Sequence, residues 1–242
     1  MIVNFIRRYH RHEVQVDAML PAEPSLLVSN HGFGGAADLN IFALVSALDE
    51  LHIDREVTYL SHEIAWTLGL GPFVEALGCR QASQAAAEEA FTAARHVAVF
   101  PGGDIEAAKP WRDRNRIVFA GRIGYARSAI DHDVPVVPIV TVGAGESLLV
   151  LSDGQRFAKA LGLPRLLRAK ALPISISIPW GLNVGLVGML PYLPLPTKIT
   201  TAVLPAMRPE PGEAPEHFAV RIETAMQARM DTLVEQRIPI LG

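Results

Sequence analysis

The stretch Ser25–Leu51 reads SLLVSNHGFGGAADLNIFALVSALDEL, and it decides the fold. SLLVS is a short apolar run behind a proline-containing turn, the pattern of a buried strand. From Leu39 onward the apolar residues recur at helical spacing, and Asp38 stands where a helix N-cap belongs. Between them lies NHGFGGAAD, rich in glycine. The unit is therefore strand, glycine-rich turn, helix.

The same rhythm continues along the chain. A helix-like stretch over Glu63–Leu77 is broken by Gly69, Gly71 and Pro72, and helical spacing returns over Gln84–Arg95. HVAVF (96–100) reads as a second buried strand running into Pro101-Gly102-Gly103. A helix is expected over Arg122–Ile130, a strand over Val134–Val142, another over Ile199–Leu204, and a final helix over Ala214–Val234. Strands alternating with helices predict an α/β fold with a central, mostly parallel sheet flanked by helices. A length of 242 residues fits one domain spanning 1–242.

Composition narrows the function. A net charge of −3 excludes the broad basic surface of a nucleic-acid binder. The lone Cys79 forms no intramolecular disulfide, and no Cys/His spacing resembles a structural zinc site, so no metal is expected. The opening MIVNFIRRYHRHE lacks the features of a secretory leader. Half the residues are hydrophobic, which together with these exclusions suggests a cytoplasmic or membrane-surface domain.

Two constellations could carry chemistry. His31 falls where the carboxyl end of a strand meets a helix start, the usual ligand position in open α/β sheets. A histidine there can accept a proton near neutral pH, and a carboxylate on its other nitrogen would fix the tautomer. Asp38 could be that carboxylate. On spacing alone it could equally be only a helix cap, with His31 satisfying a local turn. The second constellation is FPGGDIEAAKPWRDRNRIVFAGR (100–122). Gly102 and Gly103 can offer backbone N–H groups to an anion, and Lys109, Arg112, Arg114, Arg116 and Arg122 follow. Interleaved acids allow the alternative of a solvated charged loop.

Residues 155–198 form a third feature. Arg156, Lys159, Arg165, Arg168 and Lys170 punctuate an apolar stretch, and 171–197 carries no charge while prolines interrupt it. The prolines exclude one spanning helix. An interfacial segment that docks on a membrane is expected, with ordinary core or dimer contacts as the alternative.

Asn30-His31 with Asp38, Gly78-Cys79-Arg80, Phe100-Pro101-Gly102-Gly103 and Val134-Pro135-Val136-Val137-Pro138-Ile139 resemble, in order, the four blocks of the glycerolipid acyltransferase superfamily. That superfamily includes the lysophosphatidic acid acyltransferases. GGDIE (102–106), GRIGYARSAI (121–130) and VPVVPIVTVGAGES (134–147) look closer to its diacylglycerol acyltransferase-like branch. The resemblance runs from about Glu13 to the C-terminus. It implies an O-acyltransferase acting on a glycerolipid or lysophospholipid, with His31 as general base and Asp38 as its partner. Acyl-CoA or acyl carrier protein would be the thioester co-substrate, with no further cofactor. The enzyme would sit peripherally on the cytoplasmic side of a membrane. Arg80 is put at an anion site with Gly102, Gly103, Arg112 and Arg114. Two departures stand out. Six residues separate His31 from Asp38 where the family has four, and FPGG replaces FPEG, leaving Glu106 as the candidate substitute acid.

Rival readings are a nucleotide-binding α/β module, a lipid hydrolase and a non-catalytic lipid-binding protein. The glycine turns at 32–35 and 143–145 are incomplete as dinucleotide fingerprints, and no GxSxG elbow exists.

Overall fold

The computed structural model describes residues 2–32, 38–61, 66, 71–76, 78–160, 172–185 and 192–242. Helix α1 (Ile2–Tyr9) and strand β1 (Glu13–Val16) lead into β2 (Leu26–Ser29) and α2 (Leu39–Glu50). Then come β3 (Val57–Ser61), α3 (Gly71–Ala76), β4 (Cys79–Gln81), α4 (Gln84–Thr92), β5 (His96–Val99) and α5 (Gly103–Ala107). Helix α6 (Gly124–Asp131) precedes β6 (Val136–Val142), and β10 (Thr200–Val203) and α8 (Pro215–Glu235) end the chain. Between β6 and β10 lie β7 (Leu149–Ser152), α7 (Gln155–Ala160), β8 (Ile174–Ser177) and β9 (Gly181–Val184).

Seven strands form the main sheet in the order β1-β10-β6-β2-β5-β3-β4. Every neighbouring pair is parallel except β10 with β6. The mostly parallel sheet thus holds, with one antiparallel join at the side that leads to β1. Helices cover both faces, so β2 and β6 are buried along their whole lengths, which explains their continuous apolar runs. On one face Phe218, Ile222, Met226, Met230 and Leu233 of α8 pack with Leu26, Val28, Val136 and Val140. Burying that stripe contributes about 10 kcal/mol. On the other face Leu44 and Leu48 of α2 meet Leu27, Val137, Ile139 and Val203.

Several elements lay outside the sequence reading. These include α1, β1, the short strand β3, the edge strand β4, and a second, antiparallel sheet in the order β7-β8-β9. Of the helix expected over Glu63–Leu77, the described part is Trp66 and Gly71–Ala76; the remainder lies outside the described residues. The expected interfacial segment 155–198 is in its described part α7, the hairpin β8–β9 and the approach to β10. Arg165, Arg168 and Lys170 lie outside the described residues. No helix among the described residues is long and apolar enough to cross a membrane.

Around β2 the order of connection reverses, with β5 on one side and β6 on the other. Such a switch point opens a crevice at the strands' carboxyl ends. His31 follows β2, Phe100–Gly103 follows β5, and Gly143–Ser147 follows β6, so three distant stretches meet there.

Candidate active site

The site starts from how β2 ends. Asn30 is fully buried, and its side-chain amide clasps the neighbouring strand: Nδ2 donates to the Thr141 carbonyl at 3.0 Å, and Oδ1 accepts from the Thr141 N–H at 2.8 Å. The clasp fixes where the next residue, His31, leaves the sheet. Asn40, two residues into the helix side, donates to the Asn30 carbonyl at 2.6 Å and so ties the start of α2 to the end of β2. Gly32 must lack a side chain, because a Cβ there would lie 2.8 Å from Asn40 Oδ1 and 3.1 Å from Ala144 Cβ.

Asp38 divides its carboxylate between two tasks. Oδ1 accepts the Asn40 N–H at 2.8 Å, capping α2, and Oδ2 lies 2.5 Å from His31 Nδ1. The two sequence readings of Asp38, cap and imidazole partner, are therefore both realised, one on each oxygen. Residues 33–37 between them lie outside the described residues. The His31 side chain retains 15% exposure against 4% for Asp38, and its ring is 5.0 Å from that of Phe100. Among the described residues nothing hydrogen-bonds Nε2, while Nδ1 is engaged by Asp38.

Glu106, completely buried on α5, holds the histidine from behind. Its Oε2 accepts the His31 backbone N–H at 2.9 Å, and its Oε1 accepts the Val118 N–H at 3.0 Å with Lys109 Nζ at 3.4 Å. A Cβ on Gly102 would fall 2.2 Å from both Cβ and Oε2 of Glu106, so the Glu106 side chain occupies the space a side chain at 102 would need. Both oxygens face protein donors. Gly103 takes a left-handed φ of +50° beneath Arg122, whose guanidinium donates to the Pro101 and Gly102 carbonyls and to Asp104. Arg122 thus clamps the glycine turn by its carbonyls.

Behind the crevice, Glu146 pins the loop after β6. It accepts from Arg237 at 2.5 Å and from the Ile240 N–H at 2.6 Å, with Arg114 Nε at 3.5 Å. Tyr192 hydrogen-bonds Ser147 near Asp38; burial pushes its phenol up to about 12, the Ser147 bond opposing and the Asp38 charge assisting. It is a neutral donor at any ordinary pH.

The profile of a family described as Acyltransferase matches residues 11–142, from β1 to the end of β6, and so contains His31, Asp38, Gly102, Gly103 and Glu106. The chain belongs to the acyltransferase family. The four sequence blocks implied this, and the expectation of an acyltransferase enzyme rests on the same match. The chain is 28% identical over 196 residues to an uncharacterized protein of Mycobacterium tuberculosis, covering 80% of this chain and 51% of the relative. It is 25% identical over 236 residues to a Gallus gallus protein named DGAT1/2-independent enzyme synthesizing storage lipids, covering 96% of this chain and 62% of that protein. The chain thus spans between half and two thirds of the length of these curated relatives. Its fold resembles the crystal structure of the 1-acyl-sn-glycerophosphate (LPA) acyltransferase PlsC from Thermotoga maritima, with a TM-score of 0.56 at 15% identity. That alignment covers 96% of this chain and 78% of the other.

The remaining residues singled out from sequence are not gathered at His31. Arg80 sits on β4, three strand spacings from β2, or about 14 Å across the sheet. Its guanidinium donates to the Cys79 and Glu75 carbonyls. Arg112 is 82% exposed beside Asp113, and Arg114 folds over the Trp111 ring and donates to the Trp111 carbonyl. Asn40 and Tyr192 were not singled out for the site, and Asn30 and Arg122 were named without these roles, because each acts through a contact that no local spacing encodes. Among the described residues no group of three or more His, Cys, Asp or Glu side chains could hold a metal ion.

Proposed function

We propose that this acyltransferase moves a fatty acyl group from an acyl thioester, acyl-CoA or acyl carrier protein, to a glycerolipid hydroxyl. The observation that carries this is the His31–Asp38 pair at the switch point, with Nδ1 held by a buried carboxylate and Nε2 without a protein partner among the described residues. In this reading His31 Nε2 takes the acceptor hydroxyl's proton as the oxygen attacks the thioester carbonyl carbon. The C–S bond breaks, the thiolate leaves, and the imidazolium returns the proton to it. Asp38 stabilises the imidazolium and holds the tautomer that leaves Nε2 basic. Glu106 and Asn30 fix the backbone on which His31 rides.

Engaged cations favour a neutral acceptor, a mono- or diacylglycerol, over a phosphate-bearing one. Arg122, Lys109 and Arg114 are each committed to protein carbonyls or carboxylates, and Arg80 is remote from the pair. The name of the Gallus gallus relative, a storage-lipid-synthesizing enzyme, agrees with that choice. The phosphate role expected for Arg80, Gly102, Gly103, Arg112 and Arg114 is accordingly not part of this reading. The test is transfer of labelled acyl-CoA to a panel of lysophospholipids, mono- and diacylglycerols, with wild type and a folded His31→Ala variant. Substantial transfer by His31→Ala would remove the mechanism, and transfer confined to lysophosphatidate would reverse the choice of acceptor.

A further inference from the structure

The second sheet is inverted in polarity. Ser175, Ser177 and Asn183 point into the protein and are buried, with Asn183 Nδ2 donating to Ser177 Oγ at 2.7 Å. The outward positions are apolar: Leu149, Leu151, Ile176, Leu182 and Val184 are between 36% and 66% exposed. Leu149, Ile176 and Leu182 stand opposite one another across the three strands, forming a continuous row. At the tip of the β8–β9 hairpin, Ile178 and Trp180 are also about half exposed. A sheet with one face in water normally turns its polar residues out, so this arrangement suits an apolar exterior.

We infer that the outward face of β7-β8-β9 docks on an anionic lipid surface. Charge identifies the occupant. From 154 to 197, between β7 and β10, the sequence holds five Lys and Arg and not one Asp or Glu, in a chain whose net charge is −3. Arg156 and Lys159 are exposed on the helix that begins three residues after β7. Cations that accompany an apolar face match a bilayer's acidic headgroups. A second copy seated on the same face would instead bring like charges together. Trp180 at the tip is the residue type that settles at a membrane–water boundary.

The face is continuous with the site. β7 is joined to the end of β6 by the turn Ala144–Ser147, and Ala144 lies against Gly32 next to His31. Docking would therefore bring the crevice to the bilayer, where a lipid acceptor resides. Only this purpose rests on the function proposed above; the docking itself needs no chemistry.

The experiment is flotation of the full chain with phosphatidylcholine vesicles, with and without phosphatidylglycerol. Wild type should float with the anionic vesicles, with bound-to-free ratio falling as salt rises. Leu151→Thr/Leu182→Thr keeps β-propensity and should lower that ratio at least about ten-fold at unchanged melting temperature. Arg156→Gln/Lys159→Gln leaves the apolar row alone and should lower it roughly five-fold per charge. His31→Ala should float like wild type, so a failure of the catalytic reading leaves this result intact. Wild type that stays unbound, or variants that float equally well, would overturn the inference. So would a wild-type dimer that avoids vesicles and dissociates on the Leu151→Thr/Leu182→Thr change, since a second copy would then own the face.

Discussion

Asp38→Asn separates the two tasks of one side chain. The substitution is isosteric, and asparagine caps helices about as well as aspartate, so the bond to the Asn40 N–H at 2.8 Å should survive. The other contact cannot. At 2.5 Å from His31 Nδ1 the new amide nitrogen presents hydrogens to a nitrogen that carries one. The imidazole answers by moving its proton to Nε2, where it can no longer accept one from a hydroxyl. Loss of the base and of the imidazolium partner together predicts a fall in kcat of about 10²–10⁴-fold. Stability should change by less than about 1 kcal/mol. Asp38→Ala should lose the same rate but also the cap, costing about 0.5–2 kcal/mol, or a fall in Tm of about 1–8 °C at this chain length. Initial rates at saturating acyl-CoA, beside thermal denaturation of both variants, read the two effects separately. Asp38→Asn transferring acyl groups within three-fold of wild type would refute the role given to Oδ2. Equal destabilisation of both variants would refute the division between the oxygens.

Glu106→Gln should cost about 2–4 kcal/mol by urea denaturation, because one acceptor must serve the His31 and Val118 N–H groups while Lys109 loses its buried partner; adding Lys109→Met should recover part of the loss. Gly102→Ala should destabilise by about 1–3 kcal/mol in wild type but clearly less in a Glu106→Gly background, since the clash is with both the Cβ and the carboxylate of that side chain. Arg80→Ala should leave the KM for a neutral acceptor unchanged within two-fold, as its guanidinium serves only nearby carbonyls; a ten-fold rise would place the acceptor at β4. Burial chiefly, then the charge of Arg7, lowers the His12 pKa from 6.5 to about 4. Unfolded chains protonate this group below 6.5 while the folded protein resists, so its contribution to stability is intact above 6.5 and lost as pH falls towards 4. The loss should reach roughly 3 kcal/mol, and His12→Gln should flatten denaturation midpoints measured between pH 7 and 4.5.

Local rules made much of the scaffold legible. The strand at Leu26–Ser29, the capped helix from Leu39, the strand at His96–Val99 before its glycine turn, and the C-terminal helix all carry their signals within a few consecutive residues. Apolar periodicity and cap chemistry need no distant partner. The candidate site residues were legible for the same reason, since His31, Asp38 and the glycine turns sit at the ends of those elements. The short strands β3 and β4 were not, because VTYLS and CRQ owe their extended form to pairing in the sheet rather than to any alternation of their own.

What sequence alone determined, then, is a parallel α/β scaffold and a histidine at its switch point, both dictated by short-range periodicity and turn chemistry. Tertiary structure decided everything that depends on contacts between distant residues. It showed that six intervening residues still leave Asp38 on His31, that Glu106 fills the space above Gly102 and grips the histidine's backbone, and that Asn30 clasps Thr141, 111 residues away. It also carried Arg80 away from the pair, because β4 joins the sheet at the far edge. Finally, it turned an uncharged, proline-broken stretch partly into a hairpin with its polar side inward, an orientation that strand register fixes and composition does not.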